Sequence, residues 1–194
     1  MIDGIAVPIL HRTQIASLLG LPSQEEGAAG SLAWDCATLL QAWIAQLGGL
    51  PLGLLIAPTR SRGRSVRNLT VNTFHPFELL PGACASGTFA WDPDLDDERE
   101  APLGDTNAVT AYAAERHDRW VAFLGDHGDT LDPRRPVETA RGALTLGALL
   151  SAQRWHVAYH YRQLIDFLSE SDVVVADPFR LDRLDGLDLP AELY

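Results

Sequence analysis

The chain of 194 residues contains no lysine: all 15 of its basic side chains are arginine, against 26 carboxylates, for a formal charge of -11. Nucleic-acid binders draw affinity from clustered cations on phosphates. The one basic cluster here, Arg60, Arg62, Arg64 and Arg67, is short and reads as a solvated loop, so no nucleic-acid partner is expected. Arginine without lysine reads as GC-rich codon bias, and so as a high-GC bacterial source. Cysteine is scarce as well. Cys36 and Cys84 form no CxxC and no metal-type pair, and in a reducing compartment each is most simply a small buried hydrophobe. Long apolar runs are missing: the stretch 47–58 is broken by Gly48, Gly49, Pro51 and Gly53 and falls short of the roughly 20 residues a membrane span requires. The first residues, Met1 to Gly4, show neither a basic n-region nor a small-residue cleavage site, which leads to the expectation of a cytoplasmic protein without a membrane partner. Strand signals are few, the residues 172–176 being the only candidates, and they are too few for a sheet.

An apolar fraction of 46% is enough for one domain with a substantial core. Four stretches carry helical periodicity. Ser31 is the expected N-cap of a first helix over 32–47 that ends at Gly48-Gly49. Ser65 is the expected cap of a second, with Val66, Leu69, Thr73, Phe77 and Leu80 on one side and an interruption at Pro76. The segment 81–104 is rich in proline and carries the acidic run 92–100, so it is expected to be a long solvated crossover. A third helix should begin near Asp105 or Thr106 and reach Gly125, and a fourth should run from Thr145 to about Ser169. Two short connections flanking one long one give an all-α fold, a four-helix bundle with a long crossover between helices 2 and 3. Residues 1–30 would form a leader with a short helix at 11–19, residues 31–170 the bundle, and residues 171–194 a tail packed on it.

The fourth helix carries the chemistry. At about 100° per residue, Leu146, Leu149, Leu150, Val157, Leu164, Phe167 and Leu168 fall within an arc of roughly 140°, the width of a core-facing stripe. Gln153, His156, His160 and Gln163 fall in the same arc, while Ser151, Arg154, Trp155, Tyr159, Arg162 and Asp166 lie opposite. Each polar group aimed at the interior costs a few kcal/mol, about 1–3, unless it finds a partner. Histidines at i and i+4 stand about 6 Å apart on one face, close enough for both imidazoles to converge on one cation. A metal site, a metal-free polar pocket and a structural hydrogen-bond network all satisfy this pattern.

The run from Thr145 to Leu150, followed by His156-xxx-His160-Tyr161-Arg162-Gln163, resembles the last helix of the DinB-like superfamily, with its TLGELL…HxxxHRxQ pattern. Arg64-Ser65-Val66-Arg67-Asn68-Leu69 resembles the start of that family's second helix, WSVRELLAH. The resemblance spans 31–169 in the correct order. It implies a four-helix bundle that binds a divalent metal (Zn, Ni, Mn or Fe) through one histidine of the second helix and the HxxxH pair, in enzymes that use mycothiol or bacillithiol as a thiol co-substrate or resemble the bundle domain of mycothiol-dependent maleylpyruvate isomerase. A high-GC source would fit mycothiol. The chain departs from the pattern at the first ligand: the expected histidine position is Asn72, and His75 lies one turn on, beside Pro76. A kink there would bring His75 to His156 and His160 as third ligand, with Asn72 as the alternative. Gln153 and Gln163 would accept the second ring N–H of the ligating histidines.

These residues support two functions from different classes. One is a metal-dependent transferase or isomerase acting with a low-molecular-weight thiol on a small molecule. The other is a bundle with a degenerate metal site, serving as a small-molecule-binding or interaction protein. Tyr112 and Arg116 would line the substrate site, Arg116 facing a carboxylate, or else belong to the core and to a surface ion pair. Trp34, Trp43 and Trp120 are expected in the core. His11, His117 and His127 read as solvated. Trp155 and Tyr159, aromatic on a polar face, lead to the expectation of a homodimer.

Overall fold

A computed structural model describes residues 29–175, 179–181, 184 and 187–190, so the helix expected at 11–19 lies outside the described residues. The fold is mostly helical. Helix α1 spans Ala29–Leu47, α2 Leu52–Ile56 and α3 Val66–Ser86; α4 spans Asp96–Glu100, α5 Thr106–His127 and α6 Leu146–Glu170. Among the described residues, no helix is long and apolar enough to cross a membrane.

Three starts follow the capping residues in the sequence. Ser65 Oγ accepts from Asn68 N, Asp105 Oδ1 from Ala108 N at 2.8 Å, and Thr145 Oγ1 from Ala148 N at 3.2 Å, each relieving one of the orphan amides at a helix start. Ser31 is not a cap, because α1 begins two residues before it. Pro76 does not interrupt α3 either: the helix runs through both Pro76 and Pro81. Each proline removes one backbone hydrogen bond. The helix persists because Val66, Leu69, Val71, Phe74, Phe77 and Leu80 are all fully buried, and tertiary packing of this kind outweighs local propensity. It ends at Gly87, which takes the left-handed φ of 76° and returns its N–H to the Ala83 carbonyl.

The long helices enclose one core. Helix α1 packs against α5 and α6, and α3 packs against the same two. Trp43 and Trp120 sit at the centre without solvent contact, each with its indole N–H satisfied: Trp43 donates to Thr70 Oγ1 at 3.1 Å and Trp120 to the Ala33 carbonyl at 3.2 Å. Trp34, expected with them, is instead exposed. Cys36 and Cys84 are buried and free, and burial pushes the Cys84 thiol up to about 11.

The segment after α3 has more structure than its prolines suggested. Strand β1 (Thr88–Phe89) pairs parallel with β2 (Pro136–Thr139), which pairs antiparallel with β3 (Gly142–Thr145). Residues 172–175 form no strand; the three strands, of two, four and four residues, are too short for a periodic signal. The acidic run folds as a 3-10 turn at Pro93–Leu95 followed by α4. Trp155 and Tyr159 are half-buried and stacked 4.8 Å apart, and the Trp155 N–H donates to the Asp188 carbonyl at 2.9 Å. These aromatics are therefore engaged within the chain, and the homodimer expectation loses the observation that motivated it.

The helix ends meet closely at Gly30. A Cβ there would stand 2.8 Å from the backbone oxygen of Gly128, and neither backbone can yield alone. Gly30→Ala is expected to destabilise the protein by about 1–3 kcal/mol, despite alanine's better helix propensity. A urea-unfolding midpoint equal to or above that of the unsubstituted protein would contradict this contact.

Candidate functional site

Helix α6 places its polar quartet inward, as its 3.6-residue period requires. Gln153, His156, His160 and Gln163 are all buried, among Leu149, Leu150, Val157 and Leu164. The opposite face is less polar than expected: Arg154 is buried too, its Nε 2.9 Å from Asp35 Oδ2. The imidazoles of His156 and His160 lie 4.6 Å apart, centroid to centroid, and nearly perpendicular at 83°.

A polar relay runs from this pair across to α3 and α4. Asn72 on α3 presents Oδ1 to His156 Nε2 at 3.0 Å and donates from Nδ2 to Asp96 Oδ2 at 2.7 Å. The other oxygen of Asp96 faces His75 Nδ1 at 3.5 Å. Because an amide nitrogen cannot accept, the bond to Asp96 fixes which end of Asn72 meets the histidine, and the network assigns the proton to Nε2 of His156. On the far side, His160 Nδ1 donates to Gln163 Oε1 at 2.7 Å, leaving the lone pair of His160 on Nε2.

Electrostatics keep the pair neutral. Burial, then the neighbouring His160 and Arg64, holds His156 well below the usual imidazole range. Burial also lowers His160 to about 4, against the opposing bond from Gln163 and with a further contribution from Arg64 and Arg62. At neutral pH both rings carry lone pairs for which protons do not compete, the state a metal ligand needs.

The residues singled out by sequence divide three ways. His156, His160, Asn72 and Gln163 are brought together, with Gln163 accepting from the His160 ring. Gln153 lies one turn before His156, buried, and its Oε1 has no partner; nor has His156 Nδ1. His75 is buried and faces Asp96. The convergence of His75 with His156 and His160 is not assembled: among the described residues, no three His, Cys, Asp or Glu side chains are placed to hold a metal ion. The physical reason is that α3 continues through Pro76, so the expected swing of His75 does not occur, and Asn72 holds the facing position. Tyr112 is buried with its hydroxyl unpartnered, and burial pushes the phenol up to about 12. Arg116 stacks over the Tyr112 ring at 3.5 Å and pairs with Glu78 at 2.8 Å, so its charge is already matched. His117 meets Asp118 at 3.2 Å, and the His127 ring lies 5.0 Å from that of Phe123; His11 lies outside the described residues.

Two members of the site had no signal in the sequence reading. Asp96 belongs to a run expected to be solvated, yet it is 3% exposed; Asn72 satisfies its Oδ2, while its Oδ1 faces His75 without a hydrogen bond. Trp91 lies 5.2 Å from His156, with its indole N–H buried and unpaired. The chain matches no family model, no curated protein and no solved structure.

Proposed function

We propose that the chain is a DinB-like four-helix bundle with a long crossover between its second and third long helices, that it holds a divalent cation between α3 and α6, and that it acts as a transferase or isomerase with a low-molecular-weight thiol such as mycothiol. The observation that supports this most directly is Asn72: it stands where the resembled pattern has its first ligand, and its oxygen meets His156 at 3.0 Å. The donor set fits a borderline cation. His160 is oriented by Gln163 and has Nε2 free of a proton, and Asn72 offers an amide oxygen. For His156 to ligate through Nε2, its proton must pass to Nδ1. That nitrogen and Gln153 Oε1, one turn away, are both buried without partners, and ligating histidines ordinarily donate their second N–H to such an acceptor. The chemistry a cation supplies there is Lewis acidity toward a thiol, giving thiolate at neutral pH. The protein's own residues exclude water and fix the ring orientations.

The second reading, a bundle whose site binds a small molecule without metal, is favoured by the same contact read the other way. Asn72 satisfies His156 Nε2 directly, so the pair is stable with nothing bound. Metal analysis of untagged protein separates the two. The first reading expects about one equivalent of Zn, Ni, Mn or Fe per chain, absent in His156→Ala, and a melting temperature lowered by chelator, since a metal at a hundred times its Kd stabilises the native state by about 2.7 kcal/mol. No stoichiometric metal, and a melting temperature indifferent to chelator and added metal, would sink the first reading and favour the second.

A further inference from the structure

An open cleft of about 520 Å³ is lined by Arg62, Arg64 and Asn68 and by four carboxylates, Asp94, Asp96, Asp97 and Glu100. Its two signs of charge are not matched to one another. Glu100 is engaged by Arg67 at 2.7 Å and by Ser65 and Asn68, and Asp97 gives one oxygen to Asn68 at 3.1 Å. The guanidinium groups of Arg62 and Arg64 make no hydrogen bond or ion pair with any described residue, although the protein carries a net charge of -11 and carboxylates line the same cleft. Asp94, exposed in the same cleft, has no side-chain partner among the described residues either. The arginines are not on a slack loop: Thr59 N bonds the Arg64 carbonyl at 2.8 Å, Arg64 N bonds the Ser61 carbonyl at 3.0 Å, and Arg62 is held at a left-handed φ of 56°. Strain of that kind persists only where the surroundings fix it.

We infer that this cleft binds the ammonium and carboxylate of a small amino-acid-type zwitterion, the carboxylate on Arg64 and Arg62 and the ammonium on Asp94 and Asp97. A ligand with a negative group alone would meet Arg64 but also the four carboxylates of the same cleft. A ligand with a positive group alone would meet two unpaired guanidinium groups. Only a ligand carrying both signs a few ångströms apart is attracted to both walls, with the planar guanidinium suited to bidentate contact with a carboxylate. Asp96, which lines the cleft, accepts from Asn72, whose other end meets His156, so the cleft adjoins the relay that leads to the histidine pair. The inference goes beyond the metal reading and does not depend on it.

Calorimetric titration with S-methyl-L-cysteine tests it. This probe has both charges and no thiol, and it is compared with its N-acetyl derivative and its carboxamide, which each lack one charge. Binding in the millimolar range is expected for a solvent-open cleft with two charge contacts, weakened roughly tenfold in Arg64→Gln and in Asp94→Asn, and by a similar factor for either derivative. Arg60→Gln, whose side chain pairs with Glu170 outside the cleft, should bind as the parent does, and so should the parent with chelator or with added zinc. No saturable binding by about 20 mM, about twentyfold above the expected Kd, would overturn the inference. Equal binding of the parent probe and both derivatives, retained affinity in the two cleft variants with native unfolding curves, or affinity that depends on zinc would overturn it equally.

Discussion

Asn72→His is expected to raise zinc affinity about a hundredfold, close to 2.7 kcal/mol. The amide oxygen of Asn72 is a weak neutral donor, whereas imidazole nitrogen suits zinc and nickel. The position is already aimed correctly, since Asn72 Oδ1 lies 3.0 Å from His156 Nε2. The carboxylate behind it is also in place: Asp96 Oδ2, which now accepts from Asn72 at 2.7 Å, would accept the Nδ1–H of the new ring. Removing such an acceptor typically weakens metal binding 10–100-fold, so Asp96→Asn in the Asn72→His background should reverse about that part of the gain. The larger side chain enters a site that is 2% exposed, so without metal the variant should be less stable than its parent by about 1–3 kcal/mol, and zinc should restore the difference. Competition against a chromophoric chelator measures the affinity. A folded variant that binds zinc no better than the parent would mean that His156 and His160 do not share a cation site with position 72, and would remove the geometric basis of the metal reading.

The parts of this site that the sequence revealed are those governed by a single helical period. The phase of α6 can be counted from its leucines, and it carries His156, His160 and Gln163 inward without reference to any other element. The cap at Ser65 and the helix starts at Asp105 and Thr145 are equally local. Asp96 is different. It is one carboxylate in a run that includes Asp94 and Asp97, and its burial depends on where α4 docks on α3, a tertiary fact with no periodic trace. Pro76 misled for a related reason: local rules end or bend a helix at proline, while the apolar residues that hold α3 through it act only once they are packed. In the sequence Arg64 reads as solvated, because a short basic cluster in a loop usually is. Its missing carboxylate partner becomes visible only when the acidic segment is seen to form the opposite wall.

Acid should unfold this protein partly through its histidines, and the share of His160 can be given a size. In the unfolded chain an imidazole takes up its proton as the pH falls through about 6.5. In the native protein His160 resists until about 4, chiefly because it is buried. Between those values the unfolded state binds more protons than the native one, so stability falls as pH falls. The penalty is absent above about 6.5, grows through the interval and is complete below about 4, where it reaches about 3 kcal/mol. His156, held well below the usual imidazole range by burial and by its neighbour, adds a loss of the same sign. Carboxylates contribute to acid unfolding as well, so a variant is needed to isolate the imidazole. His160→Gln keeps a polar group at the position but cannot titrate. With chelator present to remove metal linkage, the fall in urea-unfolding free energy from about pH 7 to about pH 4.5 should be smaller in His160→Gln than in the parent by roughly 2–3 kcal/mol. Parallel pH profiles for the two proteins would show that His160 takes up its proton as readily in the folded protein as in the unfolded chain, contradicting the buried, neutral pair.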